Sequence, residues 1–363
     1  MKKIALILPS LHAGGMEKIM ASLANFLATK NHIKVFLVLL IKSEKFYEVR
    51  ANVTIIEPPF LADASFKGKF EILQYLRSEL KDIKPYSVLS FGSMYNSFVM
   101  LANIGLKNNI FLSDRSNPYR NSLKSFFNKS EYKNDGVIHY ILKKILYKNA
   151  SGIIVQTDFA KKVEVKQLNH KNIIVIPNPI QLGLQNMTKR EKIILNVGRF
   201  IKSKQQIELI KIFAKVRVNG WKLVFLGDGS EFENAKNLTR ELNVSDFVKF
   251  KGNVSNVEYY YAKSEIFAFT SSSEGFPNAL AEALMTPIAS IAFDCIAGPS
   301  DLIKNKYNGV LIPLNDFKLY SIKLKELMLD DQIRDKYRNN SKDFMKKFNY
   351  ENTMEKFYKI LTT

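Results

Sequence analysis

Short apolar runs alternate with longer amphipathic stretches along the first half of the chain. Because the runs are continuously apolar, they predict parallel strands that are covered on both faces of a sheet. The amphipathic stretches at 16–29, 70–80 and 137–148 predict helices between the strands. This alternation is typical of a doubly wound α/β domain. The predicted strands are 4–9, 34–40, 53–56, 87–91, 110–113, 153–156 and 173–176.

The alternation pauses at Pro177 and Pro179 and resumes after the polar stretch 181–190, which we interpret as a linker. We expect an N-terminal domain over 1–180, a C-terminal domain over 181–345, and a helix at 346–363 that packs back on the N-terminal domain. Two such domains facing each other form a cleft, where ligands of such proteins bind. The second domain is predicted to contain strands 193–197, 222–226, 248–250, 266–270 and 290–293 and helices 205–217, 232–242 and 279–285.

Composition excludes several classes of site. The 363 residues contain one cysteine, Cys295, which excludes an internal disulfide, and the four histidines show neither i,i+4 pairing nor an HExxH pattern. We therefore expect no bound metal. The longest clean apolar run, 35–41, is far shorter than the roughly 20 residues that span a bilayer. The start resembles a signal peptide but lacks a small-residue cleavage site, so we expect a buried strand and a cytoplasmic protein.

Two loops between a strand and a helix combine glycine with charge. Gly14 and Gly15 allow positive φ and close backbone approach, so we interpret them as a phosphate seat at a helix N-terminus. An ordinary tight turn is the alternative. Arg199 and Lys204 follow the strand 193–197, and an arginine fork with a lysine charge suits a pyrophosphate. Two solvated cations are the alternative there.

The segment 271–284 is the most informative. Pro277 is suited to the first position of a helix, Glu274 precedes that helix, and Glu282 lies inside it. At about 1.5 Å per residue the two carboxylates would be about 12 Å apart, too far to flank one glycosidic bond. We therefore expect them to hold two separate hydroxyl-bearing parts of one long ligand. A capped amphipathic helix is the alternative.

A second polar loop, 113–118, follows a strand of the first domain and includes Asp114, Arg115, Ser116 and Asn117. Loops at the carboxyl ends of parallel strands are where α/β proteins usually place binding groups. The loop is therefore a candidate acceptor-side site, and a capped loop without a ligand is the alternative.

Together these segments resemble the family 4 retaining glycosyltransferases, whose two Rossmann-like domains form the GT-B architecture. The resemblance covers nearly the whole chain, and its pieces occur in the family's order. Loop 113–118 also resembles that of bacterial enzymes that extend undecaprenyl-linked surface glycans. The matching pieces are Gly14–Glu17, Gly198 and Arg199 with Lys204, Leu226–Gly229, Gly252–Val254, the E-x7-E spacing from Glu274 to Glu282, Gly298–Ile303, and Asn308–Gly309.

The resemblance implies a hexosyltransferase that moves a sugar from a nucleotide sugar, commonly UDP-linked, to an acceptor hydroxyl, with retention and without a metal or other cofactor. It implies that Arg199 and Lys204 contact the diphosphate, that Glu282 contacts the ribose, and that Glu274 acts near the reacting carbon. The implied donor-binding set is Gly14, Gly15, Arg199, Lys204, Gly252, Asn253, Val254, Glu274, Gly275, Phe276, Pro277, Asn278 and Glu282.

Two positions depart from the family pattern. Many members have histidine where this chain has Arg115, and arginine cannot act as a neutral base. We keep Arg115 among the catalytic candidates with Glu274, Arg199 and Lys204, and expect it to bind a charge of the acceptor or a donor phosphate. The usual Gly-x-Pro after the E-x7-E helix is replaced by Pro287–Ala289, which we interpret as structural variation.

The net charge of +20 is compatible with other functions. A nucleic-acid-binding protein is one, but only 10 of the 54 basic residues are arginine and no binding module is present. Residues 101–180 hold 13 basic and 5 acidic residues, net +8. With the basic amphipathic helix 137–148, this suggests peripheral binding to the anionic inner face of the cytoplasmic membrane. An ordinary packed helix with a solvated lysine face is the alternative. A sugar-nucleotide epimerase of the same fold is the remaining alternative.

Overall fold

The computed structural model describes residues 1–12, 14–61, 65–115, 117–119, 137–180 and 189–363, without the side chains of 137–139. Ser116 and most of the expected linker, 181–188, lie outside the described residues. The chain forms two compact units. The first is Met1–Pro179 together with Glu351–Thr363, and the second is Ile180–Tyr350.

The first unit, within the residues described, contains a seven-stranded parallel sheet in the order β3-β2-β1-β4-β5-β6-β7. Every strand between the edges is covered by side chains on both faces, as its continuous apolarity predicts. The strands are β1 Lys2–Leu8, β2 Ile33–Leu39, β3 Thr54–Ile56, β4 Ser87–Phe91, β5 Asn109–Ser113, β6 Gly152–Val155 and β7 Ile173–Val175.

Helices connect these strands, and the direction of the connections reverses at β1. The chain moves outward from β1 to β2 and β3, returns to β4 beside β1, and then runs outward to β7. The loops after β1 and β4 therefore diverge at the carboxyl edge of the sheet. The helices of the first unit are α1 Gly15–Leu27, α2 Phe66–Ile83, α3 Ser93–Ala102, α4 Val137–Leu146 and α5 Asp158–Leu168.

The C-terminal helix spans Tyr350–Thr362. Its residues from Glu351 onward belong to the first unit. Met354, Phe357 and Leu361 on one face are fully buried. Lys30 pairs with Glu355 at 2.6 Å, and the Tyr86 hydroxyl donates to the Thr363 carbonyl at 2.7 Å. Apolar burial and hydrogen bonds thus fix this helix on the first unit.

The second unit contains, among its described residues, a six-stranded parallel sheet in the order β10-β9-β8-β11-β12-β13. It reverses between β8 and β11, as the first sheet does between β1 and β4. Its strands are β8 Glu191–Val197, β9 Lys222–Leu226, β10 Val248–Phe250, β11 Ser264–Phe269, β12 Ala289–Asp294 and β13 Val310–Pro313. Its helices are α6 Gln206–Val216, α7 Phe232–Glu241, α8 Val257–Lys263, α9 Asn278–Met285, α10 Pro299–Leu302, α11 Phe317–Leu329 and α12 Asp331–Phe344, so the C-terminal helix is α13.

The structure confirms the predicted fold class of two doubly wound parallel-sheet α/β domains. Several elements were missed by the sequence analysis: α3, α5, α8 and the edge strand β13. The prediction that Pro277 opens α9 was wrong by one position, because Pro277 precedes the first helical residue, Asn278.

Candidate functional site

The loops after β8 and β9 cross so closely that one position must be glycine. Gly227 has a φ of +123°, and a Cβ there would lie 2.2 Å from the carbonyl oxygen of Gly198. The Gly198 amide donates to the Leu226 carbonyl at 2.9 Å, and the Phe200 amide donates to the Asp228 carbonyl at 2.9 Å. These contacts fix the loop that carries Arg199 and Lys204 at the carboxyl edge of the sheet.

Lys204 and Glu274, which the sequence analysis placed in one site, form an ion pair in the structure. Lys204 Nζ lies 2.5 Å from Glu274 Oε1, and both side chains are largely buried. The turn of Lys204 is held against the loop after β11, since Thr270 Oγ1 donates to the Lys204 carbonyl at 2.9 Å and the Ser272 amide donates to the Ser203 carbonyl at 2.8 Å. The charges of the two candidates therefore offset each other.

Arg199 has a different environment. It is exposed, and no ion pair to its side chain occurs among the residues described. Gln206 Nε2 donates to its carbonyl at 3.0 Å, which fixes the backbone but leaves the guanidinium available. Arg199 thus provides a positive charge on the loop where Lys204 is already neutralised.

Glu282 lies on α9 and is oriented by a residue that the sequence analysis did not single out. The buried Tyr261 hydroxyl, on α8, lies 3.0 Å from Glu282 Oε2 and 3.1 Å from the Ala279 carbonyl. Burial, and next the charge of Glu282, raise the pKa of Tyr261 well above its ordinary value. The phenol therefore stays protonated and can act as the donor to this carboxylate.

Packing fixes the start of α9. A Cβ at Gly298, whose φ is +127°, would lie 2.2 Å from Pro277 Cδ. Phe276 is buried beside this contact, whereas Gly275 and Asn278 are partly exposed. Gly252 after β10 has a φ of +64° with open space at its Cβ position, Asn253 is exposed, and Val254 is partly buried. The donor-binding candidates of the second unit therefore lie on loops and helix starts at one edge of its sheet.

The geometry of Gly14 and Gly15 differs from the expectation. Gly14 has a φ of −172°, an extended conformation, and Gly15 is helical, so the argument from positive φ was wrong. A Cβ at Gly14 would lie 2.1 Å from Glu17 Oε2, so a side chain at position 14 would displace the flexible Glu17 carboxylate. The Gly14 amide, which was expected to face a phosphate, donates to the Tyr47 hydroxyl at 3.1 Å.

Asp114 belongs to a buried network that sequence reasoning missed. Lys143 Nζ lies 2.7 Å from Asp114 Oδ2 and 2.7 Å from Glu164 Oε1, so the lysine bridges two carboxylates. Tyr147 and Asn96 donate to Asp114 Oδ1 at 2.7 and 2.9 Å. Both oxygens of Asp114 are thus engaged within the protein. The i,i+4 spacing of Lys143 and Tyr147 in the predicted helix 137–148 was the available signal.

The pKa values of this network move in opposite directions. Burial favours a higher pKa for Asp114, but the charge and hydrogen bonds of Lys143, with those of Tyr147 and Asn96, hold it below its ordinary value. Burial and the neighbouring Asp114 charge raise the pKa of Glu164, against the influence of Lys143. Glu164 Oε2 is buried without a hydrogen-bond partner, so it is the more weakly stabilised carboxylate.

Arg115 follows directly in a left-handed conformation, with a φ of +56°. Its Nη2 donates to Asn178 Oδ1, and its guanidinium carbon lies 4.3 Å from the centre of the Phe91 ring. Its Nε and Nη1 are buried without hydrogen-bond partners. Burial lowers its pKa to about 9, so it remains charged at neutral pH. Asn117, which was also predicted to lie on the acceptor side, accepts a hydrogen bond from the Tyr119 amide at 2.9 Å through its Oδ1.

The three lysines at 143, 144 and 148 differ in their exposure. Lys143 on α4 is buried, whereas Lys144 on α4 and Lys148 in the 3₁₀ turn Tyr147–Asn149 that follows it are exposed together with the apolar Ile141 and Ile145. In the part of the chain that the structure describes, no helix has the length and apolarity to cross a membrane. The same residues contain no cluster of three histidine, cysteine or acidic side chains placed to hold a metal ion.

Comparison with known proteins supports the resemblance to glycosyltransferases that the motifs indicate. Residues 184–344 match the family described as "Glycosyl transferases group 1". A Campylobacter jejuni alpha-1,4-N-acetyl-D-galactosaminyltransferase, whose name gives an undecaprenol-diphosphate-linked glycan as its acceptor, is 24% identical over 99% of this chain and 98% of its own length. These matches confirm the resemblance to glycosyltransferases, and the family number stays a prediction.

Solved structures confirm the GT-B fold class. Sucrose-phosphate synthase from Thermosynechococcus elongatus aligns with a TM-score of 0.85 and 16% identity, covering 100% of this chain and 98% of that one. The Anabaena protein HepE in complex with UDP aligns with a TM-score of 0.78 and 14% identity over 100% of both chains. At these identities the comparisons establish the fold.

Proposed function

Because the protein is a glycosyltransferase with a group 1 domain at residues 184–344, we propose that it transfers a hexose or N-acetylhexosamine from a UDP-sugar to a hydroxyl of a lipid-linked or surface-glycan acceptor. The transfer retains the anomeric configuration and uses no metal. The observation that carries the proposal is the partly buried Lys204–Glu274 pair beside the unpaired Arg199 on one sheet edge.

The second unit binds the donor in this proposal. Arg199 contacts the diphosphate, whose negative charge grows as the bond to the sugar breaks, and fixed donors at such a charge lower the barrier. Glu282, oriented by Tyr261, accepts hydrogen bonds from the ribose. Gly252, Asn253 and Val254 face the base, and Gly275–Asn278 line the path between base and sugar.

The chemical step makes one bond and breaks another. The acceptor oxygen bonds to the anomeric carbon, the bond from that carbon to the diphosphate oxygen breaks, and the departing diphosphate takes the acceptor's proton. Glu274 lies near the reacting carbon and orients the donor sugar. Lys204 is paired with Glu274 in the free protein, and in the donor complex it leaves that carboxylate and supports the diphosphate with Arg199.

The acceptor binds to the first unit, and its lipid requires a membrane surface. Exposed Ile141, Lys144 and Ile145 on α4, with Lys148 just after it, form an apolar and basic surface that suits an anionic bilayer interface. We therefore propose peripheral association at the cytoplasmic face. Binding to anionic vesicles at low salt tests this, and a protein that ignores such vesicles would contradict it.

A screen of UDP-sugars for UDP release, with and without lipid-linked acceptors, tests the transferase proposal. Arg199→Ala and Glu274→Ala should each lose most of the turnover while circular dichroism stays unchanged. Arg240→Ala, an exposed arginine on α7, is the matched control and should retain activity. Near-normal turnover in either site variant removes that residue from the site. Release of a free epimer without transfer would instead identify an epimerase.

A further inference from the structure

The second unit contains a cavity at one edge of its sheet, where β13 pairs on one side only, with β12. The cavity has a volume of about 820 Å³ and is bordered by the residues of β13 and by side chains of α11 and α12. This volume is typical of sites that hold a small molecule. None of the donor-binding candidates borders it, so it is separate from the donor site.

The outer edge of β13 is protected against the addition of another strand. Neighbouring residues of a strand direct their backbone groups to opposite sides, so Leu311 and Pro313 share the outer side. The Leu311 amide donates to Asn305 Oδ1 at 3.0 Å, and Pro313 has no amide hydrogen to offer. An added strand needs such donors, so the cavity is a poor site for an extended peptide and suits a small molecule better.

Apolar side chains form the long walls of the cavity. Leu311, Leu319 on α11 and Ile333 on α12 are partly exposed, while Ile312 and Leu327 are almost fully buried behind them. From Leu319 to Leu327, α11 extends about 12 Å along the cavity at about 1.5 Å per residue. These walls suit a hydrocarbon chain, because each methylene removed from water strengthens binding by up to about fourfold.

Two lysines without a counter-ion border the cavity, Lys306 in the turn before β13 and Lys336 on α12. Within the described part of the chain, neither side chain forms an ion pair or a hydrogen bond. Asn340, one helical turn after Lys336, donates through Nδ2 to the Tyr307 carbonyl at 2.7 Å and so fixes the turn of Lys306 on α12. The two positive charges therefore lie at the same end of the cavity.

Tyr337 places a hydroxyl group at this end. It follows Lys336, borders the cavity and is only 7% exposed, and its hydroxyl has no hydrogen-bond partner among the residues described. Burial, and next the charge of Glu326, raise its pKa, so the phenol stays protonated and can donate. Lys323, whose Nζ lies 2.5 Å from Glu326 Oε2, offsets that charge. Two cations and one hydroxyl donor are thus available to an anionic group.

We propose that this cavity binds an alkyl phosphate, with the phosphate at Lys306, Lys336 and Tyr337 and the hydrocarbon chain between β13 and α11. A phosphate monoester carries about 1.5–2 negative charges at neutral pH, which matches two unpaired lysines better than a carboxylate does. Asp294, opposite Pro313 at the other end of β13, repels the phosphate there and so sets the direction of the ligand. The inference does not rest on the proposed function.

The test titrates the whole protein by calorimetry with octyl phosphate, hexyl phosphate, octanoate and octyl glucoside, each below its micelle concentration. Octyl phosphate should bind about tenfold more tightly than hexyl phosphate, which buries two fewer methylenes. It should also bind about tenfold more tightly than octanoate or octyl glucoside, because charge-assisted hydrogen bonds to a phosphate are the stronger ones.

Lys306→Gln and Lys336→Gln should each weaken octyl phosphate binding about tenfold and leave octyl glucoside binding unchanged. Tyr337→Phe should weaken octyl phosphate binding about threefold. Lys325→Gln on α11 and Lys342→Gln on α12 are the matched controls, since both lysines are exposed and neither borders the cavity. The lysine variants change exposed side chains, so their circular dichroism should match that of the wild type.

Three outcomes overturn the inference. The first is no binding of octyl phosphate, and the second is equal or tighter binding of octanoate or octyl glucoside. The third is an equal loss in the control variants, which would show general attraction of anions to a basic protein. UDP binding is measured in parallel, and its loss in the wild type would contradict the proposed function alone.

Discussion

Lys143 is the side chain whose removal should most damage the first unit. It lies 2.7 Å from both Asp114 and Glu164 and is 2% exposed. In Lys143→Met the volume is nearly kept, but two buried carboxylates lose their shared cation. Removing one partner of a buried ion pair costs about 3–5 kcal/mol, because the remaining charge is left uncompensated. We expect a loss in that range.

The sign of the pH dependence follows from the carboxylates. Without Lys143 the pKa values of Asp114 and Glu164 rise, so the folded variant binds more protons than the wild type does. Stability falls with rising pH wherever the folded state binds more protons than the unfolded one. The destabilisation should therefore be larger at pH 8 than at pH 5. Glu164, whose pKa is already raised in the wild type, should account for most of this difference.

Hydrogen exchange measured by mass spectrometry is the appropriate assay, because it resolves the two units separately. Amides of β5 and β6 should exchange faster in Lys143→Met, while those of β8 and β9 stay unchanged. Lys144→Met is the control, since that neighbour is exposed and should change stability by less than about 0.5 kcal/mol. Equal effects of the two variants would refute the reasoning.

Three further predictions concern the second unit. Arg190 donates to the carbonyls of Tyr261, Ser264, Thr286 and Pro287. Lysine has three donors in another geometry, so Arg190→Lys should lower the free energy of unfolding by about 2–4 kcal/mol in denaturant titrations. An equally stable variant would contradict this. Gly227→Ala should lower the free energy of unfolding by more than about 3 kcal/mol and Gly252→Ala by about 1 kcal/mol, because only the Cβ at position 227 clashes with backbone atoms. Similar melting temperatures of the two variants would show that the crossing loops can separate. Burial raises the pKa of Cys295, so the native thiol should resist alkylation until the unit unfolds, and rapid labelling at pH 8 would disprove this.

The strands and the donor-site motifs were predictable from the sequence because their signals are local. β9 and β10 were placed to the residue, and Glu274 and Lys204 were assigned to one site before their ion pair was seen. Each depends on a continuous apolar run or on a motif at a strand end, which no distant residue alters.

The missed features depend on partners far along the chain. α3 contains three polar residues in ten, and its burial is decided by α2 and α4, on which it packs. Lys143 looked like one lysine of a basic helix until α5 placed Glu164 beside it. The role of Gly14 was misjudged because its backbone is extended and its nearest neighbour is the Glu17 side chain, so positive φ plays no part.

The ion pair at the donor site leads to a last prediction. With Glu274 on Lys204, Arg199 is the one of these two cationic candidates that still offers an unpaired charge to a diphosphate. In the proposed donor complex the sugar hydroxyls draw Glu274 away, and Lys204 then turns to the diphosphate. UDP alone lacks the sugar and leaves the pair closed. Glu274→Gln should therefore bind UDP about tenfold more tightly than the wild type while binding a UDP-sugar no better, as measured by calorimetry. Weaker UDP binding would mean that Glu274 positions Lys204 for the diphosphate instead of withholding it.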